Sequence, residues 1–252
     1  MTSTLLQTEQ LSKRFGGVSA VNDVSLTFQE GQVHVIIGPN GAGKTTFFHL
    51  LTGFYPASAG CILFKGTDIT RLPPAERVKL GIARSYQRTN IFAHLSVREN
   101  LRLAASRSFG NHWSLRPGNV PCEVSRLVQD TLDLLGLTAI ASQVTDTLPY
   151  GVQRLVDIGI AICCRPQILL LDEPTSGLSA SELHETVGVL KSIRNRFTIV
   201  LIEHNMELVV ELADIISVLN FGELLANGSP EVISANQAVQ EAYFGKRRRA
   251  VA

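Results

Sequence analysis

The amino-acid sequence predicts an α/β fold: a core with a mostly parallel sheet, an N-terminal antiparallel β edge and a helical subdomain. Three observations predict it. Short apolar runs alternate with helical patterns near both ends of the chain, residues from about Ile91 to Leu148 carry helical periodicity with few strand signals, and the early segment VSLTF alternates apolar and polar residues. Strands that alternate with helices are typical of parallel sheets covered on both faces.

The composition is that of a globular protein without a strong charge bias. The chain has 252 residues, of which 45% are hydrophobic and 18% charged, and its net charge is +1. These values argue against disorder and against general nucleic-acid binding. No apolar run of membrane-spanning length occurs, the N-terminus lacks signal-peptide character, and the four cysteines follow no zinc or disulfide spacing. The sequence therefore predicts a cytosolic protein with reduced thiols.

The first elements lead from an antiparallel edge into a buried strand. The alternation in VSLTF, the turn at Glu30-Gly31 and the solid apolar run VHVIIG predict an edge hairpin that feeds a buried strand. A glycine-rich loop follows, and an apolar helix is predicted from Lys44 to Leu51, stopped by Gly53.

The remaining elements divide the chain into a core and an insertion. CILFKG predicts a strand, and Pro73-Pro74 opens a short helix. Two helical patterns, VRENLRLAA and VSRLVQDTLDLLGL, flank a linker rich in proline and glycine. Strands and helices then alternate again in QILLLD, SELHETVGVLKSIR, FTIVLIE, ELVVELA and IISVLNFG. We therefore expect one core from residues 1–90 and 149–252, with residues 91–148 inserted as a helical subdomain.

The strongest chemical signal is GPNGAGKT, which fits the phosphate-loop pattern GxxxxGK[ST] and lies between a predicted buried strand and a helix. Gly38, Gly41 and Gly43 let the backbone curl so that its N–H groups point at phosphates. Lys44 would reach the β- and γ-phosphates, and the Thr45 hydroxyl would bind Mg²⁺. The predicted ATP-binding segment also contains Pro39, Asn40, Ala42 and Thr46. The sequence therefore predicts a P-loop NTPase core that binds a nucleoside triphosphate.

A second signal is ILLLDEP, an apolar strand that ends in two carboxylates. Asp172 stands at the carboxyl end of the strand, where ligands bind in parallel sheets, and can hold Mg²⁺. Glu173 follows it and is placed to orient and deprotonate an attacking water.

Four motifs together resemble one family. GPNGAGKTT, LPYGVQR, LLLDEPTSGLS and LIEHNMELV, in this order and spacing, are similar to the nucleotide-binding subunit of an ATP-binding cassette (ABC) transporter. The resemblance extends from about Leu5 to Phe244. RSYQRTNIFAHLSVRENL, the L-x-Y-G form of the signature and the ending ANGSPEVI…AYFG resemble importers of branched-chain amino acids and related small polar solutes.

The resemblance implies roles for three further residues. Phe15 stands where the family stacks an aromatic ring on adenine, although a core phenylalanine is the alternative. Gln87 matches the Q-loop glutamine, which senses Mg²⁺ and the attacking water. His204 matches the switch histidine, which would bind the γ-phosphate and hold Glu173 and the water. Glu173, His204, Gln87 and Lys44 are thus the expected catalytic set, and Thr45, Gln87 and Asp172 the expected Mg²⁺ set.

Two motifs depart from the family pattern. The signature, normally LSGGQQR, is Leu148 to Arg154 here and would cap the γ-phosphate bound by a second subunit. Its members include Leu148, Pro149, Tyr150, Gly151, Val152 and Gln153, and proline at the serine position removes a hydroxyl and an N–H donor. We therefore expect weakened contacts to the partner's nucleotide. The D-loop, usually SALD, is Ser176, Gly177, Leu178 and Ser179, so its aspartate is replaced by serine.

The resemblance implies an ATPase that energises solute import with ATP and Mg²⁺. Its expected partners are permease subunits, a second cassette that is a copy or a relative, and indirectly a periplasmic or extracellular solute-binding protein. Its expected location is the cytoplasmic face of the cell membrane. Alternatives are an exporter subunit for lipid or polysaccharide and a regulatory cassette ATPase. A P-loop kinase or recombinase would lack the signature.

Overall fold

The computed structural model describes residues 3–85, 91–109 and 120–244. In chain order the strands are β1 (Thr4–Phe15), β2 (Val18–Gln29), β3 (Val33–Ile37), β4 (Ala59–Phe64), β5 (Thr67–Asp68), β6 (Ile82–Arg84), β7 (Ile168–Asp172), β8 (Thr198–Ile202), β9 (Ile215–Asn220) and β10 (Glu223–Gly228). The helices are α1 (Lys44–Leu51), α2 (Pro74–Leu80), α3 (Val97–Ser108), α4 (Cys122–Leu134), α5 (Tyr150–Cys163), α6 (Ala180–Ile193), α7 (Met206–Leu212), α8 (Pro230–Ser234) and α9 (Gln237–Phe244), and short 3₁₀ turns occupy Thr138–Ile140 and Thr145–Thr147. The predicted helix from Lys44 to Leu51 is confirmed at both ends.

The chain forms two compact units, one of residues 1–74 with 199–252 and one of residues 75–198. The helices α3 and α4 of the predicted helical subdomain lie in the second unit, together with β6, α5, β7 and α6. The functional boundaries of the subdomain, at residues 91 and 148, stay a prediction.

The antiparallel edge lies in the first unit, where the strands follow the order β2-β1-β4-β5. The partner of the VSLTF strand is β1, to which the sequence analysis assigned no strand, and not VHVIIG. The pattern of β1 was missed because its middle is polar and because the register shifts between Thr8 and Leu11, where Gln10 has a φ of 49°. The hairpin is therefore real, but it is made by β1 and β2.

The strand β3 is the buried strand on which the site is built. All its residues are buried, as its unbroken apolar pattern predicts. It pairs in parallel with β8 on one side and β9 on the other, and β10 adds an antiparallel edge next to β9. The first unit thus contains a mixed, mostly parallel sheet, with the glycine-rich loop at the carboxyl end of β3.

One buried histidine on this strand gives the fold a dependence on pH. His34 Nε2 lies 2.7 Å from Ser217 Oγ, which in turn donates to Asn227 Oδ1 at 3.0 Å. Burial lowers the pKa of His34 from 6.5 to about 4. Because the folded state therefore binds fewer protons than the unfolded state, protonation favours unfolding.

We expect the free energy of unfolding to fall by about 1.4 kcal/mol per pH unit from His34 as the pH drops from about 6.5 to about 4. Urea titrations across that window would measure the slope, and His34→Gln should reduce it because glutamine does not titrate. The matched control is His184→Gln, since His184 is an exposed residue of α6. An equal slope in the wild type and His34→Gln would contradict the assignment.

The second unit joins a parallel strand pair to packed helices. The strand β6 pairs in parallel with β7, and α5 packs against α3 and α4. The helices approach closely at Gly159, where an added Cβ would lie 2.7 Å from Leu101 Cδ2 and 2.9 Å from Leu135 Cδ1. Among the described residues, no helix is both long and apolar enough to span a membrane.

Candidate nucleotide site

The phosphate-loop segment takes the close-packed, positive-φ path that its glycines predict. Gly38 and Gly43 have φ values of 156° and 96°. A Cβ at Gly38 would lie 2.2 Å from Leu219 O, and one at Gly43 would lie 2.3 Å from Ala20 O. Larger residues at these two positions would therefore displace backbone as well as strain it.

Lys44 folds back over the loop. Its Nζ donates to Gly38 O at 2.6 Å and to Pro39 O at 3.0 Å, and the residue is 6% exposed. Helix α1 begins directly at this lysine, and its N-cap, Gly43, provides no side-chain cap. The first-turn N–H groups and a buried ammonium thus belong to one short segment, which is the donor set that phosphates require.

The turn between β9 and β10 braces this segment. Gly222 donates its N–H to Ala42 O at 3.0 Å, and Asn22 donates its N–H to Gly222 O at 2.8 Å. The turn needs positive φ values at both Phe221 (48°) and Gly222 (84°). A series of backbone hydrogen bonds therefore links β2, this turn and the phosphate loop.

Phe15 lies at the end of β1 and is 43% exposed, which excludes the alternative of a core residue. Its ring meets that of Tyr55 edge-on, with centroids 5.2 Å apart, and Lys13 Nζ lies 5.0 Å from its centroid. An exposed, supported ring can stack on a base. The adenine contact itself stays a prediction.

His204 follows β8 in the same unit and is exposed. The backbone N–H of His204 donates to Oε2 of the buried Glu203 at 3.0 Å. This contact holds the backbone of His204 just after the end of β8.

Asp172 ends β7 in the second unit and is 1% exposed. Its Oδ2 accepts a hydrogen bond from Arg84 at 2.6 Å, whereas its Oδ1 is buried and accepts no hydrogen bond from any described residue. Burial raises the pKa of this carboxyl, and the Arg84 charge opposes the rise. An open, buried carboxylate oxygen is a ligand that fits Mg²⁺.

Glu173 adopts a left-handed conformation with a φ of 47°, which is uncommon for a residue with a side chain. Its carbonyl accepts hydrogen bonds from Arg154 at 2.6 Å and from the Ser176 N–H at 3.1 Å. Arg154, which is buried on α5, also donates to Asp172 O at 3.0 Å. The arginine therefore fixes the backbone of both carboxylate residues.

The signature segment enters α5. Pro149 is the N-cap of this helix and makes no side-chain cap, Leu148 is buried, and Tyr150 is 40% exposed. The side-chain amide of Gln153 donates a hydrogen bond to Leu148 O at 2.9 Å. Gly151 donates its N–H to Glu182 Oε1 at 2.8 Å, so this donor is engaged within the chain.

The D-loop leads into α6. Ser179 is the N-cap of that helix and forms a capping box with Glu182. Gly177 has a φ of 78°, and a Cβ there would lie 3.6 Å from Tyr150 Cε1. The Ser179 hydroxyl donates a hydrogen bond to Glu182 Oε2 at 2.6 Å.

The sequence analysis missed two residues of this region, and one expected residue is not among the described residues. Arg84 and Glu182 were not singled out; the capping-box spacing Ser179-x-x-Glu182 was a usable signal for the second, whereas nothing in the sequence marked the first. Gln87 lies outside the described residues, so its predicted role stays a prediction.

Two family models match parts of this chain. The family model described as "ABC transporter" matches residues 21–176, and that described as "Branched-chain amino acid ATP-binding cassette transporter" matches residues 223–248. The chain is similar to the high-affinity branched-chain amino acid transport ATP-binding protein BraF of Pseudomonas aeruginosa, with 37% identity over 98% of this chain and 100% of the relative. It is also 37% identical to the corresponding LivG protein of Escherichia coli, with the same coverage.

Solved structures of similar fold include an ATP-binding cassette of an ABC transporter in its ADP conformation. It has a TM-score of 0.82 and 28% identity, over 97% of this chain and 100% of that one. A nucleotide-free ATP-binding cassette from an ABC transporter gives a TM-score of 0.80 and 27% identity, over 96% and 99% of the two chains.

Proposed function

This chain belongs to the ABC transporter family, and from that premise we propose that it binds and hydrolyses ATP to energise import of branched-chain or other amino acids through a membrane permease. The observation that carries the proposal is the phosphate loop. Its hydrogen-bond donors, the first N–H groups of α1 and the Lys44 ammonium, lie in one segment after β3. The ammonium is held by the carbonyls of Gly38 and Pro39. On nucleotide binding, the ammonium would exchange these carbonyls for phosphate oxygens.

We propose that Asp172, with Thr45 and Gln87, holds Mg²⁺. The buried Oδ1 of Asp172 supports this role because it accepts no hydrogen bond from the described residues. Bound Mg²⁺ would neutralise phosphate charge that this chain's own donors leave uncompensated.

For hydrolysis, we propose that the Glu173 carboxylate orients water and takes its proton, and that the His204 imidazole donates to the γ-phosphate. The left-handed backbone of Glu173 supports a positioned role, since strained conformations of this kind persist where surrounding contacts determine them. Arg154 supplies two of those contacts. We therefore assign Arg154 as a positioning residue for Glu173.

We expect Arg154→Lys to lower kcat for ATP hydrolysis by about tenfold to a hundredfold, because the shorter lysine side chain would not place its ammonium at the position of Nη2, which donates to both carbonyls, and Glu173 would shift. Nucleotide affinity should change little. Initial-rate kinetics would measure kcat. Equilibrium ATP binding and the thermal midpoint of unfolding would show whether the variant is still folded. The matched control is Arg126→Lys, an exposed arginine on α4. A variant with normal kcat would show that Glu173 does not depend on Arg154.

The proposed partners follow from the family and from the relatives. Two cassettes, identical or related, would close around two ATP molecules, and permease subunits would bring this chain to the cytoplasmic face of the membrane. A solute-binding protein outside the membrane would deliver the solute. The match of residues 223–248 to the branched-chain model favours import over export and over a regulatory ATPase.

Two measurements test the proposal at two levels. ATP hydrolysis by the purified chain should rise in specific activity with protein concentration if two copies complete each site. In cells that lack this chain, uptake of labelled leucine should fall and should return with the wild-type chain but not with Glu173→Gln. Hydrolysis with unchanged leucine uptake would retain the ATPase and refute branched-chain amino acids as the solute.

A further inference from the structure

One carboxylate joins the signature segment to the D-loop. Glu182 Oε1 accepts the Gly151 N–H at 2.8 Å, while its Oε2 accepts the Ser179 N–H at 2.9 Å and the Ser179 hydroxyl at 2.6 Å. All these residues belong to the second unit. We call the set of Gly151, Ser179 and Glu182 the carboxylate latch.

The latch is built from sequence features that fit one another. Ser179 and Glu182 form the capping box of α6, which aims one carboxylate oxygen away from its own helix. That oxygen reaches Gly151 because glycine has no side chain: a Cβ there would lie 2.8 Å from Glu182 Cβ and Cγ. The Ser179 hydroxyl bond is the largest cause that lowers the pKa of Glu182, with the backbone bonds adding to it, so the group is ionised at neutral pH.

The latch changes what the amino end of α5 can bind. Pro149 has no N–H, and the Gly151 N–H is already donated to a carboxylate. A negative charge therefore stands at the positive end of the helix dipole, where the proposed function places the γ-phosphate of a partner cassette. The Glu182 carboxylate and the partner's γ-phosphate would therefore compete for the Gly151 N–H.

We infer that Glu182 is a gating residue, whose carboxylate keeps the amino end of α5 closed to phosphate and must leave Gly151 before two cassettes close on ATP. This inference rests on the proposed function, because it needs the signature to face a nucleotide. Since Glu182 also contacts Ser179 of the D-loop, its departure would release both interface segments at once.

A purely structural role for Glu182 gives the opposite expectation. If the carboxylate only braced α5 against α6, its removal would loosen the interface segments and weaken ATP-dependent association. If it gates, neutralising it should strengthen association even while the lost cap lowers the thermal midpoint slightly. The sign of the change in association therefore separates the two roles.

The test uses the full chain carrying Glu173→Gln, with Glu182→Gln, Glu182→Ala or neither added. Glu182→Gln keeps the shape and removes the charge, and Glu182→Ala also frees the Gly151 N–H. The matched control is Glu185→Gln, which makes the same charge change on an exposed residue of α6. Sedimentation over a range of protein concentrations gives self-association with and without ATP, and a fluorescent ATP analogue reports binding to the chain itself.

We expect ATP-dependent self-association to strengthen by about a hundredfold in Glu182→Ala, because each dimer opens two copies of the latch and each copy contributes about tenfold, the size of one charged hydrogen bond; the gain in Glu182→Gln should be smaller. Analogue binding and the Glu185→Gln control should be unchanged. Analogue binding without a gain in association in either Glu182 variant would overturn the gate. Loss of analogue binding in every chain, the Glu173→Gln parent included, would instead refute the proposed function, and the gate with it.

Discussion

Replacing Lys44 with alanine is expected to abolish measurable ATP binding. The ammonium is the cation of the phosphate loop, and its bonds to Gly38 O and Pro39 O also hold the loop in shape. Removing it deletes the charged hydrogen bonds to phosphate and leaves two carbonyls with one donor fewer. We expect affinity to fall by at least about a hundredfold, or roughly 3 kcal/mol.

Equilibrium titration with a fluorescent ATP analogue would measure this loss. Lys44→Met serves as a second variant, because it retains most of the apolar stem and the packing. The control is Lys79→Ala, which removes an exposed lysine that pairs with Glu76 on α2. Tight binding by both Lys44 variants, with normal binding by the control, would show that the segment is not the phosphate site.

Replacing Glu173 with glutamine is expected to stop hydrolysis and leave ATP binding intact. Glutamine matches the shape of the side chain and can keep the carbonyl contacts to Arg154 and Ser176, since these involve only the backbone. It cannot accept the proton of an attacking water. We expect kcat to fall by about a hundredfold to ten-thousandfold.

Single-turnover release of phosphate, measured beside equilibrium ATP binding, separates the chemical step from affinity. With ATP the variant should also accumulate as a closed dimer, because the step that reopens it is blocked. The control is Glu207→Gln, which alters an exposed glutamate in the first turn of α7. Normal turnover by Glu173→Gln would assign the base to another residue.

The sequence predicted the elements that carry strong periodicity. β3 and α1 were located because a solid apolar run and a helical pattern meet at a motif with fixed spacing. β1 was missed because its polar middle and its bulge break the alternation on which strand prediction rests. Its register depends on pairing with both β2 and β4, which no local pattern encodes.

The residues of the candidate site also divide into those that a local sequence pattern predicts and those that depend on tertiary contacts. Asp172 and Glu173 could be predicted because they stand at fixed positions after an apolar strand. The Arg84 ion pair with Asp172 could not, since it joins residues 88 positions apart along the chain. The contact of Glu182 with Gly151 likewise depends on the packing of two helices, although the capping box that orients it was visible in the sequence.

The pairing of β3 has a consequence for the order of events during synthesis. Both of its neighbours, β8 and β9, lie in the last quarter of the chain, and the turn that braces Ala42 follows β9. A ribosome that has made the glycine-rich loop has therefore not yet made the strands that hold it. We expect nascent chains that end before residue 198 to gain no protection from ATP against proteolysis. ATP can therefore stabilise only a nearly finished polypeptide, and β3 lacks both of its neighbouring strands until then.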